Sequence, residues 1–320
     1  MATKKLTNKQ KNWIKQHPIL TVLLVAALIV GSYFLGLWDF DIPGSDIPVI
    51  TPTAEVSGKL QVHYIDVGQA DSILIIAPTG ETMLIDAGAS NDKDVRAVKG
   101  ADYLINYLKS HGVTKLDYLM LTHPHSDHIA SADEVIAAYA GKIGTILLSD
   151  DESSGWSTVA KAMQKAGETY DLCSCGETYR LGECTFKILG PVDSSVFDDS
   201  ERNHYSIVCR LTFGETSFMF TGDAETVTES AILKKFKASD LKSDVLKVGH
   251  HGSTTSSSAS FLNAVGADLA VICVGSENGY GHPHDKIVDR LTEKGYQILR
   301  TDKEGTIVLV SDGKSVSRLK

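Results

Sequence analysis

Residues 122–128 read Thr-His-Pro-His-Ser-Asp-His. Three imidazoles (His123, His125, His128) and one carboxylate (Asp127) therefore fall within six positions, directly after the apolar run 116–121. Imidazole nitrogen and carboxylate oxygen are the donors that Zn²⁺ and similar divalent ions take, at roughly 2.0–2.2 Å. The run Leu-Asp-Tyr-Leu-Met-Leu predicts a buried strand, which delivers such groups without a flexible stem. His123 and His125, two apart, then leave on the same side of the strand, and Asp127 and His128 follow on the turn into a helix.

Three further clusters follow apolar runs in the same way. Residues 218–221 lead into Gly222-Asp223, a carboxylate at a strand end where it can bridge two ions. Residues 245–248 lead into Gly-His-His-Gly-Ser at 249–253. One imidazole of that pair completes a metal shell, and its neighbour contacts the substrate or donates a proton; His250 stands first as the ligand and His251 as the donor, with the reverse assignment open. Residues 279–284, Gly-Tyr-Gly-His-Pro-His, form a polar loop before a helix, with His282 and His284 as substrate contacts.

Elements able to present these groups alternate along the chain. Strands are predicted within 60–77 (two, joined at 68–71) and at 82–86, 116–121, 145–149, 185–189, 206–211, 217–221, 245–248, 269–274 and 306–311. Helices are predicted at 95–110, where Gly112 is the stop signal, and at 132–140, 224–236, 257–265 and 286–294. Many strands are continuously apolar, which suits sheets covered by helices.

Taken together, the His-x-His-x-Asp-His word at 123–128, Asp223 and the late His250 resemble the metallo-β-lactamase superfamily. Residues 65–72 (Ile-Asp-Val-Gly-Gln-Ala-Asp-Ser), 84–88 (Leu-Ile-Asp-Ala-Gly), 247–253, 280–284 and 300–302 are similar to the metallo-hydrolase domain of ComEC-type competence proteins and their stand-alone relatives. The resemblance covers 58–320 and implies an α/β (α+β) fold, the four-layer αββα sandwich, with two divalent ions, Zn or Mn, at one edge. It implies that His123 and His125 hold one ion, that Asp127, His128 and a histidine of the 250/251 pair hold the other, and that Asp223 bridges. Relatives usually place a further histidine before the Gly-Asp strand; here Asn203 or His204 fills that position. Asp66, Gln69, Asp71 and Asp86, with Ser253 and His284, are then the groups that orient the ligands or meet substrate.

The reaction that follows is hydrolysis by activated water. Asp127 orients the water and takes its proton, and His251 or His282 protonates the leaving alkoxide. A phosphodiester is the expected substrate, as DNA or as a cell-wall polymer such as a teichoic acid phosphocholine ester. A non-catalytic tethered binding module is the opposed reading, disfavoured by retention of the water-activating residues. No feature points to a protein partner.

Charge is unevenly spread. Of 31 Lys and Arg against 40 Asp and Glu, five lysines (Lys4, Lys5, Lys9, Lys11, Lys15) precede the first acid, Asp39, leaving 26 basic against 40 acidic residues behind them, a formal −14. An acidic body grips phosphate polymers only locally, because duplex binding relies on Lys and Arg. Residues 19–37 carry no charge and as a helix would span roughly 28 Å, close to a bilayer core. The sequence therefore predicts a basic cytoplasmic head (1–18), a transmembrane anchor (19–38) contacting membrane lipid, an extended Pro-rich linker (39–57) and an extracytoplasmic catalytic domain (58–320). A cleaved signal peptide shares the head and apolar run, but no small-x-small site follows. Cys173, Cys175 and Cys184 lie close enough in sequence for an exported disulfide, whereas Cys209 and Cys273 sit in apolar runs as core residues.

Overall fold

Short apolar runs with inward and outward side chains in alternation build two mixed β-sheets that face one another. The computed structural model describes residues 56–88, 100–150, 154–196, 201–276 and 278–319. The expected head, membrane anchor and nearly all of the linker, and residues 95–99 of the helix expected at 95–110, lie outside the described residues. Among the described residues no helix is long and apolar enough to cross a membrane.

In chain order the strands are β1 (Leu60–Tyr64), β2 (Ile73–Ile76), β3 (Thr82–Ile85), β4 (Leu116–Leu121), β5 (Ile143–Leu148), β6 (Tyr170–Leu172), β7 (Thr178–Leu181) and β8 (Cys184–Gly190). They continue as β9 (Val208–Phe213), β10 (Thr216–Phe220), β11 (Val245–Lys247), β12 (Leu269–Ile272), β13 (Gln297–Arg300), β14 (Ile307–Ser311) and β15 (Val316–Arg318). One sheet runs β15-β14-β1-β2-β3-β4-β5-β6 and the other β13-β12-β11-β10-β9-β8-β7. β3 to β6 are parallel in the first sheet, as are β10 to β13 in the second. The helices are α1 (Ala101–Ser110), α2 (Ser126–Ile129), α3 (Ala132–Ala138), α4 (Ser157–Ala166), α5 (Thr226–Lys235), α6 (Ala238–Leu241), α7 (Ala259–Val265), α8 (Asp285–Glu293) and α9 (Thr301–Glu304).

The strand period of two sorts side chains between layers. Tyr64, Met120, Phe186, Phe218, Phe220, Val245 and Val271 fill the space between the sheets. Their neighbours Met219, Leu246, Ala270 and Ile272 point the other way, against Phe261, Leu262 and Val265 of α7 and Ile287 and Leu291 of α8. On the first sheet His63, between Val62 and Tyr64, faces outward and meets the Tyr107 hydroxyl of α1 at 2.8 Å. The result is the four-layer helix-sheet-sheet-helix order.

Several elements depart from the sequence expectation. Helix α4, strands β6, β7, β13 and β15, and the single turn α6 lie in segments where no element was expected. β6 is exposed along its whole length and β15 nearly so, so neither carries the apolar alternation that marks a half-buried strand. All five cysteines are free thiols. The disulfide that the spacing of Cys173, Cys175 and Cys184 would permit is absent; Cys173 and Cys184 are packed as free thiols in the inter-sheet core.

Candidate metal centre

The parallel strands all end at one edge, and the candidate residues leave from those ends. β3 runs into Asp86, β4 into His123 and His125, β10 into Asp223 and β11 into the 249–253 turn. The ends come close enough that glycine is required at position 88, while Gly222 is set by its left-handed backbone (φ 49). A Cβ on Gly88 would lie 1.7 Å from the Asp127 carbonyl oxygen, and one on Gly222 would lie 3.0 Å from Thr122 Oγ1.

Ligand atoms of Asp127, His128, Asp223 and His251 lie within 4.8 Å of one another. Each imidazole is oriented from behind. His128 Nδ1 is 2.7 Å from Asp86 Oδ2, and Asp86 also accepts from Thr122 N (2.7 Å) and Thr122 Oγ1 (2.8 Å). His251 Nδ1 donates to the Cys273 carbonyl at 2.8 Å. A carbonyl only accepts, so the proton of a neutral His251 sits on Nδ1 and its Nε2 presents a lone pair. His128 Nε2, His251 Nε2 and Asp223 Oδ1 are buried and make no hydrogen bond, although His128 Nε2 is 3.2 Å from Asp223 Oδ1 and His251 Nε2 is 3.3 Å from Asp127 Oδ2. Buried lone pairs left facing one another are costly unless something binds them, and two imidazoles with two carboxylates suit a divalent ion.

A second group lies beside the first. His123 Nε2 and His125 Nδ1 are 3.1 Å apart, close to the roughly 3.3 Å between two nitrogen ligands of one tetrahedral ion. Asn203 borders the same cavity with its Oδ1 buried and unpartnered. His204, the other candidate for that place, faces away, its Nε2 3.3 Å from Glu225 Oε2. The donor set on this side is thus two imidazoles and an amide oxygen, with Asp223 between the two groups.

The 250/251 pair differs from the sequence expectation. His251, not His250, stands in the buried cluster; His250 is partly exposed, with Nδ1 3.1 Å from Thr255 Oγ1 and Nε2 3.6 Å from Asp223 Oδ2. The cause is backbone geometry that side-chain types do not reveal. Both residues take left-handed conformations (φ 49 and 51), uncommon for residues with a Cβ and a frequent mark of functional sites.

The remaining candidates occupy supporting places. Asp71 lies 3.6 Å from His251 Nδ1 and 3.9 Å from His128 Nδ1. Gln69 accepts from Gly275 N at 3.0 Å and reaches His282 Nδ1 at 3.4 Å, so it braces the 275–284 loop. Asp66 accepts from Gly68 N within its own turn, Ser253 bonds Thr255, and His284 Nδ1 accepts from Thr254 N; none of the three borders the cavity. His282 does border it, and burial with the neighbouring His250, His251 and His284 pushes its imidazole down to about 4.

Two contributors escaped the sequence reading. Lys247, fully buried, pairs with Asp71 Oδ2 at 2.6 Å and donates to the Gly222 carbonyl. Its signal was available as a lone charge inside the apolar run 245–248. Glu225 contacts His204, His250 and Asn203, and lies only two positions after Asp223.

The cavity over these groups has a volume of about 240 Å³ and is open on one side. Against known proteins, residues 65–180 and 200–276 match the family model described as the metallo-beta-lactamase superfamily. The chain is 31% identical over 261 residues to ComE operon protein 3 of Bacillus subtilis (strain 168), covering 79% of this chain and 33% of that protein. It is also 31% identical over 257 residues to competence protein ComA of Neisseria gonorrhoeae, covering 80% and 33%. The chain thus spans about a third of the length of these relatives. Among solved structures, the metallo-beta-lactamase fold protein YhfI of Bacillus subtilis superposes with a TM-score of 0.52 at 14% identity, over 79% of this chain and 100% of that one. CmlA, a diiron beta-hydroxylase from Streptomyces venezuelae, gives 0.51 at 16%, over 82% and 54%.

Proposed function

Since this chain belongs to the metallo-β-lactamase superfamily, we propose that it is a membrane-tethered, metal-dependent phosphodiesterase whose catalytic body lies outside the cytoplasm. The observation that carries the reading is the cluster of Asp127, His128, Asp223 and His251, in which His128 Nε2, Asp223 Oδ1 and His251 Nε2 are buried without a hydrogen bond, beside His123, His125 and Asn203. The fold alone does not select a reaction, as a diiron hydroxylase shares it.

In this reading Asp127, His128, Asp223 and His251 would hold one divalent ion, and His123, His125 and Asn203 would hold a second, with Asp223 lying between the two groups. Zn²⁺ and Mn²⁺ both suit the mixed nitrogen and oxygen donors. Bound ions supply hydroxide at neutral pH and draw charge from phosphoryl oxygens. The protein does the rest. Asp127 is a carboxylate on the cavity wall, so it orients the attacking water. His251, sunk among the ligands with Nδ1 committed to Cys273, is placed to bind an ion, which leaves proton donation to His282. At about 4 that imidazole is neutral on its own, and an anionic phosphodiester beside it supplies the charge that raises its proton affinity. The relation to competence proteins supports a nucleic acid over a cell-wall polymer, with DNA uptake or degradation as the setting.

The test uses the full chain in detergent, loaded with Mn²⁺ or Zn²⁺, acting on bis(p-nitrophenyl) phosphate. Asp127→Asn should lower kcat by about 10²- to 10⁴-fold with little change in KM. A wild-type protein that binds metal yet leaves this ester intact contradicts the proposal.

A further inference from the structure

Tyr280 is 67% exposed, the most exposed of the large apolar side chains among the described residues. It stands at the rim of the catalytic cavity and is the one Phe, Tyr or Trp among the residues bordering it. The backbone that carries the ring is tied down by Asn278. Asn278 Oδ1 accepts from Tyr280 N at 3.2 Å and His282 N at 2.9 Å, while Asn278 Nδ2 donates to the Gly275 and His282 carbonyls. Below it lies a stair of nearly parallel rings leading inward. Tyr280 stacks on His282 at 5.7 Å and 21°, and His282 on His251 at 6.4 Å and 28°.

An aromatic face kept exposed and oriented at the mouth of a hydrolytic site is a platform for another flat ring. We propose that Tyr280 is a specificity residue that stacks an unpaired nucleobase next to the scissile phosphodiester, so that the site takes single-stranded nucleic acid. This rests on the phosphodiesterase reading above. A base inside a duplex is already stacked on both faces and cannot lie on Tyr280, whereas an unpaired base can. A quaternary ammonium headgroup is the rival occupant of an aromatic subsite. Such cations are held by cages of several aromatic rings, and this rim offers one. The acidic body adds to the argument, because without a broad basic surface the grip on a nucleotide must come from the site itself.

The test compares thymidylyl-(3′→5′)-thymidine with its counterpart lacking both bases, using the metal-loaded full chain. The wild type should favour the base-bearing substrate in KM by roughly five- to hundredfold. Tyr280→Ala should lose most of that preference and Tyr280→Phe should keep it, with kcat moving less than KM in both. Equal base preference in wild type and Tyr280→Ala overturns the proposal, as does a lower KM for p-nitrophenyl phosphocholine than for the p-nitrophenyl ester of thymidine 5′-phosphate, which has the same leaving group. Wild-type activity on bis(p-nitrophenyl) phosphate with no base preference overturns this inference alone. A metal-loaded wild type inert to that ester as well overturns the phosphodiesterase reading and this inference with it.

Discussion

At the scale of single residues, the centre depends on groups that hold the ligands as much as on the ligands. Lys247 is an internal cation among carboxylates, with no exposure and a 2.6 Å contact to Asp71. Its ammonium is held charged, because although burial opposes the charge, the carboxylates of Asp71 and Asp223 favour it more. Removing one partner of a buried pair strands the other. Lys247→Met should therefore destabilise the protein by about 3–5 kcal/mol in denaturant unfolding, and a cost below about 1 kcal/mol would show the pair to be dispensable. The adjacent histidines give a sharper contrast. Since His251 Nε2 faces Asp127 and Asp223 while His250 is partly exposed, His251→Ala should reduce bound metal and His250→Ala should not; the reverse pattern, read by metal analysis, restores the assignment made from sequence.

At the scale of elements, the ends of β3, β4, β10 and β11 carry the chemistry, and their apolar runs announced them. The His-x-His-x-Asp-His word and Asp223 were legible because strand end and donor type coincide in sequence. The choice between His250 and His251 was not, since it depends on two left-handed backbone residues. Nor was the choice between Asn203 and His204, which is decided by Glu225 drawing His204 away. Exposed β6 and β15 lacked any apolar pattern to read. Packing at the strand ends yields a prediction for Gly88. A methyl group there would overlap the Asp127 backbone, so Gly88→Ala should lower both the unfolding midpoint and the metal content, and an unchanged metal count would contradict the close crossing. Where α1 covers β1, burial and then the neighbouring His111 push His63 down to about 3. Above pH 6.5 His63 is neutral in folded and unfolded chains and has no effect on stability. Between 6.5 and 3 only the unfolded chain takes up the proton, so stability falls by about 1.4 kcal/mol for each unit of acidification. Unfolding of His63→Gln between pH 6 and 4.5 should have a shallower pH slope by about that amount, and identical slopes would mean His63 titrates normally.

At the scale of the whole molecule, the proposal of an enzyme fixed to a membrane and acting locally rests on the acidic body and the basic, apolar N-terminal sequence. Protease added to intact cells should remove the body if the positive-inside orientation is right; a body that survives on intact cells but is cut after lysis would refute it. The chain corresponds to about a third of its competence relatives, so their whole activity is not to be assumed for it. What it does contain is the candidate centre, assembled from loops as far apart in sequence as 122–128 and 249–253. The most direct test is to strip the full chain with a chelator, reload it with Mn²⁺ or Zn²⁺, and count ions. The account predicts about two ions per wild-type chain, as a paired hydrolytic centre requires, and about one in His251→Ala. Less than one ion in the wild type, or two retained in His251→Ala, would contradict it.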